Sequence, residues 1–361
     1  MTNLPRSITE LFGIEVPIIQ APMMGIATAE MVVAVSKAGG LGSLPLTNLS
    51  RQASRVLFSD IRARTSKPVN VNFLCHRAPD EDPASEEAWL RCLTPYYAEL
   101  GLSTEKSLTG LLIPEFSPAH CDLLDELRPE VVSFHFGLPS AHLVERVRRT
   151  GAKIMSSATT VEEAVWLERA GCDAIIAQGF EAGGHRGTFL HGKVDAQVGT
   201  MVLVPQIVDA VKVPVIAAGG IADPRGVAAA FALGASAVQV GTGFLLCKEA
   251  NVSSAYRQAV RTARPEQTLV TNVFTGRPAR VRETRIVREI GPIANNVPAF
   301  PLAAAPLAPL RAASEPHGCT DFVPMWCGQG ACLSRELSAA ELTRWLAGAG
   351  GVRISADPPR N

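Results

Sequence analysis

The sequence predicts a (β/α)8 barrel, or TIM barrel, with an insertion after the third strand and a C-terminal extension. Three observations support this fold class. Short apolar strands alternate eight times with helical patterns over about the first 260 residues, the usual size of such a barrel. The seventh and eighth strands end in glycine turns, at Gly219–Gly220 and Gly241–Thr242. No early GxGxxG or GxxxxGK motif indicates another nucleotide-binding α/β fold.

The eight predicted strands are short runs that end in glycine or polar residues, as buried parallel strands do. They are Val16–Gln20, Leu41–Leu44, Val69–Leu74, Val131–His135, Lys153–Ser157, Asp173–Ala177, Pro214–Ala218 and Ala237–Val240. Helical patterns follow them, and the helix between the seventh and eighth strands has clear boundary signals. Asp223 is a good N-cap, Pro224 occupies the first helical position, and Gly234 lies just beyond the end.

Two regions do not repeat the strand–helix pattern. The insertion covers about residues 76–110 and contains the acidic run Asp80–Asp82. Its sequence predicts a helix over Ser85–Leu100. The extension covers residues 263–361 and predicts extended segments at Thr268–Phe274 and Ala279–Val281. We expect both regions to pack over the mouth of a barrel domain formed by residues 1–262.

Composition excludes several classes of protein. The 361 residues carry no net charge, which argues against a nucleic-acid partner. Hydrophobic residues make up 47% and charged residues 19%, which favours a folded core over disorder. Apolar stretches fall short of the ~20 residues of a membrane span. The N-terminus lacks a signal-peptide pattern, so we expect a cytoplasmic enzyme acting on a small molecule.

The eight cysteines form no CxxC pair, and we expect them to be reduced thiols. Cys319, Cys327 and Cys332 lie near His317, but their spacing fits no common zinc pattern. We therefore expect no metal site.

The residues at the carboxyl ends of the predicted strands are mostly uncharged. This suits a ligand with many neutral hydrogen-bonding groups and one phosphate, such as FMN, better than a metal ion. In a barrel of this kind, the turns after strands seven and eight usually hold a phosphate. The candidate cofactor-binding residues are Met23, Gly25, Asn72, Gln178, Gly183, Gly184, Gly219, Gly220, Gln239, Val240, Gly241 and Thr242.

The loop after the sixth strand carries the most specific chemistry. His185 follows two glycines that permit close approach to a substrate, so its imidazole could act as a general base or a cationic anchor. Glu181 is either an acid facing the ligand or the cap of a turn. Arg186 is interpreted as a surface charge or a neighbour of the phosphate, and His135 as either a core histidine or a functional one.

Several motifs resemble those of nitronate monooxygenases, formerly called 2-nitropropane dioxygenases. The tail segments PLAPLRAASE and DFVPMWCGQGA are also similar to members of this family, and Pro324–Gly330 either closes over the ligand or forms an ordinary turn. Motifs other than AGGHRG are shared with a flavin-dependent enoyl-acyl-carrier-protein reductase and, more distantly, IMP dehydrogenase. The matching segments are QAPMMG (Gln20–Gly25), NVNF (Asn70–Phe73), AQGFEAGGHRG (Ala177–Gly187), AAGGIAD (Ala217–Asp223) and QVGT (Gln239–Thr242).

The resemblance implies FMN as cofactor and His185 as the catalytic residue. It implies that O2 and an alkyl nitronate, such as propionate 3-nitronate, are converted to a carbonyl compound and nitrite. Two alternatives stay open at this point. One is an NAD(P)H-dependent FMN reductase acting on enoyl thioesters or quinones, and the other is a flavin-binding protein without turnover. Barrel enzymes often dimerise, so a homodimer is a further expectation.

Overall fold

A computed structural model describes residues 7–80, 82–104, 113–191, 194 and 196–348. Four parts of the sequence predictions lie outside the described residues. These are the N-terminal residues 1–6, Glu81 of the acidic run, residues 105–110 at the end of the predicted insertion, and residues 349–361 of the extension.

Eight parallel strands form a barrel, as predicted, and each predicted strand boundary lies within two residues of the observed one. Each strand pairs with its neighbours around the barrel. Backbone hydrogen bonds between Leu41 and both Ile18 and Gln20, at 2.9 and 3.0 Å, close the ring. Numbered along the chain, the barrel strands are β1 (Ile18–Gln20), β2 (Gly42–Pro45), β3 (Val69–Leu74), β4 (Val131–His135), β5 (Lys153–Ala158), β6 (Ala174–Gln178), β8 (Val215–Ala218) and β9 (Ala237–Val240).

Helices surround the barrel and continue into the insertion and the extension. Asp223 caps its helix as predicted, because its Oδ1 accepts hydrogen bonds from the N–H groups of Arg225 and Gly226 at 2.9 and 3.1 Å. The helices of the described residues are α1 (Ile8–Phe12), α2 (Ala29–Lys37), α3 (Arg51–Arg64), α4 (Pro83–Glu99), α5 (Pro118–Leu127), α6 (Ala141–Arg149), α7 (Val161–Arg169), α8 (Thr200–Ala210), α9 (Pro224–Ala232), α10 (Ser254–Arg261), α11 (Arg285–Ile290), α12 (Ala308–Ser314) and α13 (Ala339–Leu346).

The core has two layers, because successive side chains of a strand point to opposite faces. Ile18 packs outward in the large cluster between the strands and the helices. Ile19 packs inside the barrel, in a cluster that also contains Ile8 and Phe12 of α1. The small helix α1 thus closes the barrel at the end opposite the strand carboxyl termini, and the other end is left for a ligand.

A second, antiparallel sheet joins the extension to the barrel. The hairpin of β10 (Thr268–Thr271) and β11 (Ala279–Arg282) pairs with a two-residue strand β7 (Gly184–His185), and Ala279 lies opposite His185. The sequence predicted the hairpin strands but not β7. The loop after the sixth strand is therefore held by residues that come about 95 positions later in the chain.

The insertion and the extension share one hydrophobic cluster. Trp89 and Tyr97 of α4 pack with Phe274, Leu307 and other residues of the extension. The Trp89 indole N–H donates to the Ala303 carbonyl at 3.1 Å, and the Tyr97 hydroxyl donates to the Pro306 carbonyl at 2.6 Å. Within the described ranges, no helix has the length and apolarity that crossing a membrane requires.

Candidate active site

A cavity of about 370 Å³ lies at the carboxyl ends of the barrel strands and is covered by the extension. Two of the predicted site residues do not line it. Val240 points outward into the hydrophobic core, and Gly25 lies between the lining residues Met24 and Ile26. The predicted residues that do line the cavity are Met23, Asn72, Gln178, Gly183, Gly184, His185, Gly219, Gly220, Gln239, Gly241 and Thr242.

The His185 side chain forms part of the cavity wall and is enclosed by aromatic rings. Its ring centroid lies 5.8 Å from Phe136, 5.5 Å from Phe300 and 5.2 Å from Trp326. Its Nε2 is 2.9 Å from the Thr275 hydroxyl, the only polar side-chain partner of this ring within the described residues. Three of these four neighbours come from the extension, so the extension builds the surroundings of the histidine.

Burial, together with the smaller effects of nearby His135 and Arg277, lowers the pKa of His185 to about 3. The imidazole is therefore neutral near pH 7. In a neutral ring one nitrogen donates a hydrogen bond and the other accepts one, and the ring carries no positive charge. Of the two roles predicted for His185, the cationic anchor does not fit the site in this form.

His135 positions the backbone of His185. Its Nε2 lies 3.2 Å from the His185 carbonyl oxygen, which can only accept, so Nε2 carries the proton. Nδ1 then accepts from the Ser157 hydroxyl at 3.0 Å. Burial lowers the pKa of His135 to about 4, in agreement with this neutral form. The Gln178 side chain adds a second donor to the same carbonyl, at 3.0 Å.

The interpretation of Arg186 as a surface charge is wrong. The side chain is fully buried, and burial lowers its pKa to about 9. Its guanidinium donates to the carbonyl oxygens of Gln178 and Gly179 and to the Gln197 side chain, at 2.8, 2.7 and 2.6 Å. Arg186 thus joins the end of β6 to the loop that follows. Its partners are mostly backbone carbonyls, which leave no signal in a sequence.

Two carboxylates fix the loops next to the cavity. Glu181 accepts hydrogen bonds from the N–H and hydroxyl of Thr200, both at 2.8 Å, so it caps α8 and does not line the cavity. Glu163 is fully buried and accepts from Thr159, Thr188, Phe189 and Leu190. Glu163 also lies three residues after Thr160, whose hydroxyl accepts from the Glu163 N–H at 3.1 Å as the cap of α7.

The glycine turns after β8 and β9 form one wall of the cavity together with the extension. Gly219 and Gly220 have φ angles of +116° and +71°, which favour glycine. The N–H groups of Gly220 and Ile221 meet no acceptor among the described residues. The Thr242 hydroxyl accepts from the Gly328 N–H at 2.9 Å and keeps its own hydrogen for a ligand.

The segment Pro324–Gly330 lies directly against these turns and is not an isolated surface turn. A Cβ atom at Gly328 would lie 2.5 Å from the Glu181 carbonyl oxygen, and one at Gly330 would lie 2.6 Å from that of Gly220. Only glycine allows this backbone contact. Further lining residues of the extension were not predicted from the sequence: Phe274, Thr275, Phe300, Ala304, Leu307 and Arg311.

The cysteines and the acidic residues do not form a metal site in the described part of the chain. All eight cysteines are free thiols. No group of three or more histidine, cysteine, aspartate or glutamate residues lies close enough to hold an ion within those ranges.

Fold and cavity together define a TIM-barrel enzyme whose site is shared between the strand ends and a C-terminal extension. The model of the family described as nitronate monooxygenase matches residues 6–348. The chain belongs to this family, and it is accordingly an oxidoreductase.

Similar proteins cover nearly the whole chain. A nitronate monooxygenase of Pseudomonas aeruginosa is 44% identical over 94% of this chain and 97% of its own length. A nitroalkane oxidase structure from Streptomyces ansochromogenes has a TM-score of 0.85 and 35% identity, with 94% and 97% of the two chains covered. The FabK structure from Thermotoga maritima has a TM-score of 0.70 and 31% identity, with 96% and 95% covered.

Proposed function

We propose that this enzyme binds FMN and uses O2 to convert alkyl nitronates into carbonyl compounds and nitrite. The observation that carries the proposal is the neutral, aromatic-enclosed His185 on the wall of the cavity, in a chain that belongs to the nitronate monooxygenase family. The expected cytoplasmic location and homodimer stay predictions.

The cavity wall fits FMN. Gln239 lines the cavity, and its buried Oε1 has no hydrogen-bond donor in the described protein. A flavin N–H or a ribityl hydroxyl would supply that donor. The free N–H groups of Gly220 and Ile221, with the Thr242 hydroxyl, suit a phosphate. Asn72, Gly183 and Gly241 complete the proposed lining. When bound, the flavin supplies the redox chemistry, and the protein orients it.

His185 would hold the substrate by hydrogen bonding. The 2.9 Å contact with Thr275 is shorter than the 3.3 Å separation between that hydroxyl and the Arg277 carbonyl. We infer that the Thr275 hydroxyl donates to Nε2 and thereby keeps the proton of the ring on Nδ1. That N–H has no partner among the described residues and is free to donate to a nitronate oxygen.

The low pKa of His185 favours an anionic substrate. A base with a pKa of about 3 is poorly matched to removing a proton from a neutral nitroalkane near pH 7. A nitronate has already lost that proton and needs only a donor. We therefore expect nitronates to be much better substrates than the corresponding nitroalkanes.

The direct test measures O2 uptake and nitrite release by the purified, FMN-loaded enzyme with propionate 3-nitronate. The His185→Ala variant is expected to keep its flavin absorbance but to lose turnover by on the order of 10²-fold or more. His191→Ala, in the exposed part of the same loop, is the matched control. Turnover that survives in His185→Ala would contradict the role of His185, and no nitrite from the wild type would contradict the function.

A second candidate is the NAD(P)H-dependent flavin reductase that the sequence left open, because several motifs are shared with a flavin-dependent enoyl-acyl-carrier-protein reductase. The reductase is the weaker candidate, because the chain has a larger TM-score and a higher identity to the nitroalkane oxidase structure than to the FabK structure. Anaerobic mixing with NADH or NADPH separates the two: rapid loss of the oxidised flavin absorbance, with no reaction toward nitronate, would favour the reductase.

A further inference from the structure

The cavity wall contains one formally charged side chain among the described residues, Arg311. Arg311 lies on α12 of the extension, near the lining residues Ala304 and Leu307. The remaining described lining is apolar or neutral, since both His135 and His185 are uncharged near pH 7. A single cation in an otherwise uncharged cavity sets a strong preference for a negatively charged group.

Arg311 has no partner within the described residues. No carboxylate there forms an ion pair with it, and no side chain or carbonyl accepts a hydrogen bond from its guanidinium. Its Nε is buried and without an acceptor. Other arginines of the extension differ: Arg285 pairs with Glu99, and Arg280 donates to backbone carbonyls of Phe180 and Thr268. An unpaired donor at a cavity wall is costly unless a ligand supplies the acceptor.

We propose that Arg311 binds a second anionic group of the substrate and so selects nitronates that carry a carboxylate. This inference rests on the proposed function. A guanidinium binds a carboxylate through two parallel hydrogen bonds, which gives both energy and orientation. The nitronate end is left to His185. The FMN phosphate is assigned elsewhere, to the turns after β8 and β9, whereas Arg311 belongs to the helix that packs beside the insertion.

Two substrates of similar size test the selection. For Arg311→Gln, kcat/KM with propionate 3-nitronate should fall at least tenfold, mainly through KM, because a charge-assisted hydrogen bond is lost. The value with propyl 1-nitronate, which has no carboxylate, should stay within about twofold. Arg311→Lys should recover part of the loss. Arg288→Gln, an exposed arginine of the same extension, is the matched control.

A binding measurement is independent of turnover. Succinate has the shape and the two charges of propionate 3-nitronate, and butyrate has only one charge. Calorimetry on the FMN-loaded enzyme should show succinate binding that Arg311→Gln weakens at least tenfold, with butyrate unaffected.

Several results would overturn the inference. They are equal losses with both nitronates, equal succinate affinity in both proteins, no succinate binding by the wild type, or loss of FMN from Arg311→Gln. If nitronates are not turned over while succinate binding depends on Arg311, then the proposed function fails and the anion site stands.

Discussion

Single residues of the extension set the chemical state of a histidine on the barrel. Thr275 is the clearest case, because its hydroxyl is the polar side-chain partner of the His185 ring. The aromatic neighbours Phe300 and Trp326 pack against the same ring. A histidine in water would be partly protonated near its ordinary pKa, and here its environment keeps it neutral.

Replacing Thr275 by valine keeps the size of the side chain but removes the hydroxyl. We expect kcat/KM for propionate 3-nitronate to fall by about tenfold, the effect of one lost hydrogen bond of ~1.4 kcal/mol. Thr275→Ser should restore most of the activity, because serine keeps the donor. Flavin content should be equal in all three proteins. A valine variant as active as the wild type would show that the hydroxyl does not set the proton position on His185.

At the scale of elements, Glu163 joins α7 to the loop that follows His185. Its Oε2 accepts from the Thr159 N–H and hydroxyl at 2.7 and 2.8 Å. Its Oε1 accepts from the N–H groups of Phe189 and Leu190, at 2.6 and 3.2 Å. Both oxygens of this buried carboxylate therefore accept hydrogen bonds. A glutamine amide in its place would direct its NH2 group at either the Thr159 donors or the Phe189 and Leu190 donors.

We expect Glu163→Gln to lower the free energy of unfolding by about 2–4 kcal/mol, since it unpairs buried donors. Urea unfolding followed by tryptophan fluorescence measures the change. The control is Glu162→Gln, one position earlier and solvent-exposed, where the loss should stay below about 0.5 kcal/mol. Equal losses at the two positions would contradict the role given to Glu163.

The barrel strands could be predicted because local signals define them. The short run Ala237–Val240 ends at Gly241, for example, and the strand is observed with the same bounds. Strand β7 could not be predicted, since Gly184 and His185 become a strand only by pairing with Ala279 and Arg280. A two-residue segment has no periodicity of its own.

The same distinction applies to the candidate site. Residues at strand ends follow from the fold, so most of them could be located in advance. Arg311 and Thr275 could not, because nothing in the sequence indicates which part of an irregular extension reaches the cavity. Arg186 was misjudged since arginines are usually exposed, and only tertiary structure shows carbonyls gathered around it.

For the whole molecule, the two neutral histidines make stability depend on pH. The folded protein holds His135 and His185 with pKa values of about 4 and 3, below the ordinary value of about 6.5. Between these values the unfolded chain binds more protons than the folded one. The contribution of these two histidines to the free energy of unfolding is therefore full above about pH 6.5. It is lost as the pH falls toward 4 and then 3.

Urea unfolding of the cofactor-free protein over this range should show the loss, up to about 1.4 kcal/mol per pH unit for each histidine. The double variant His135→Gln, His185→Gln should have a flatter profile than the wild type. His191→Gln changes an exposed histidine and should leave the slope unchanged. Parallel profiles for the wild type and the double variant would contradict the assignment.

The pairing of β7 with the hairpin also sets an order of events during synthesis. A ribosome delivers the last barrel strand, Ala237–Val240, well before Thr275, Ala279 and Trp326 emerge. Until then, His185 lacks the Thr275 hydroxyl and the rings of Phe300 and Trp326, and Phe136 of the barrel is its one aromatic neighbour among those described. A chain that stops before this hairpin would hold a barrel whose histidine lacks both Thr275 and Trp326, so the surroundings of His185 depend on residues that are made after the barrel itself.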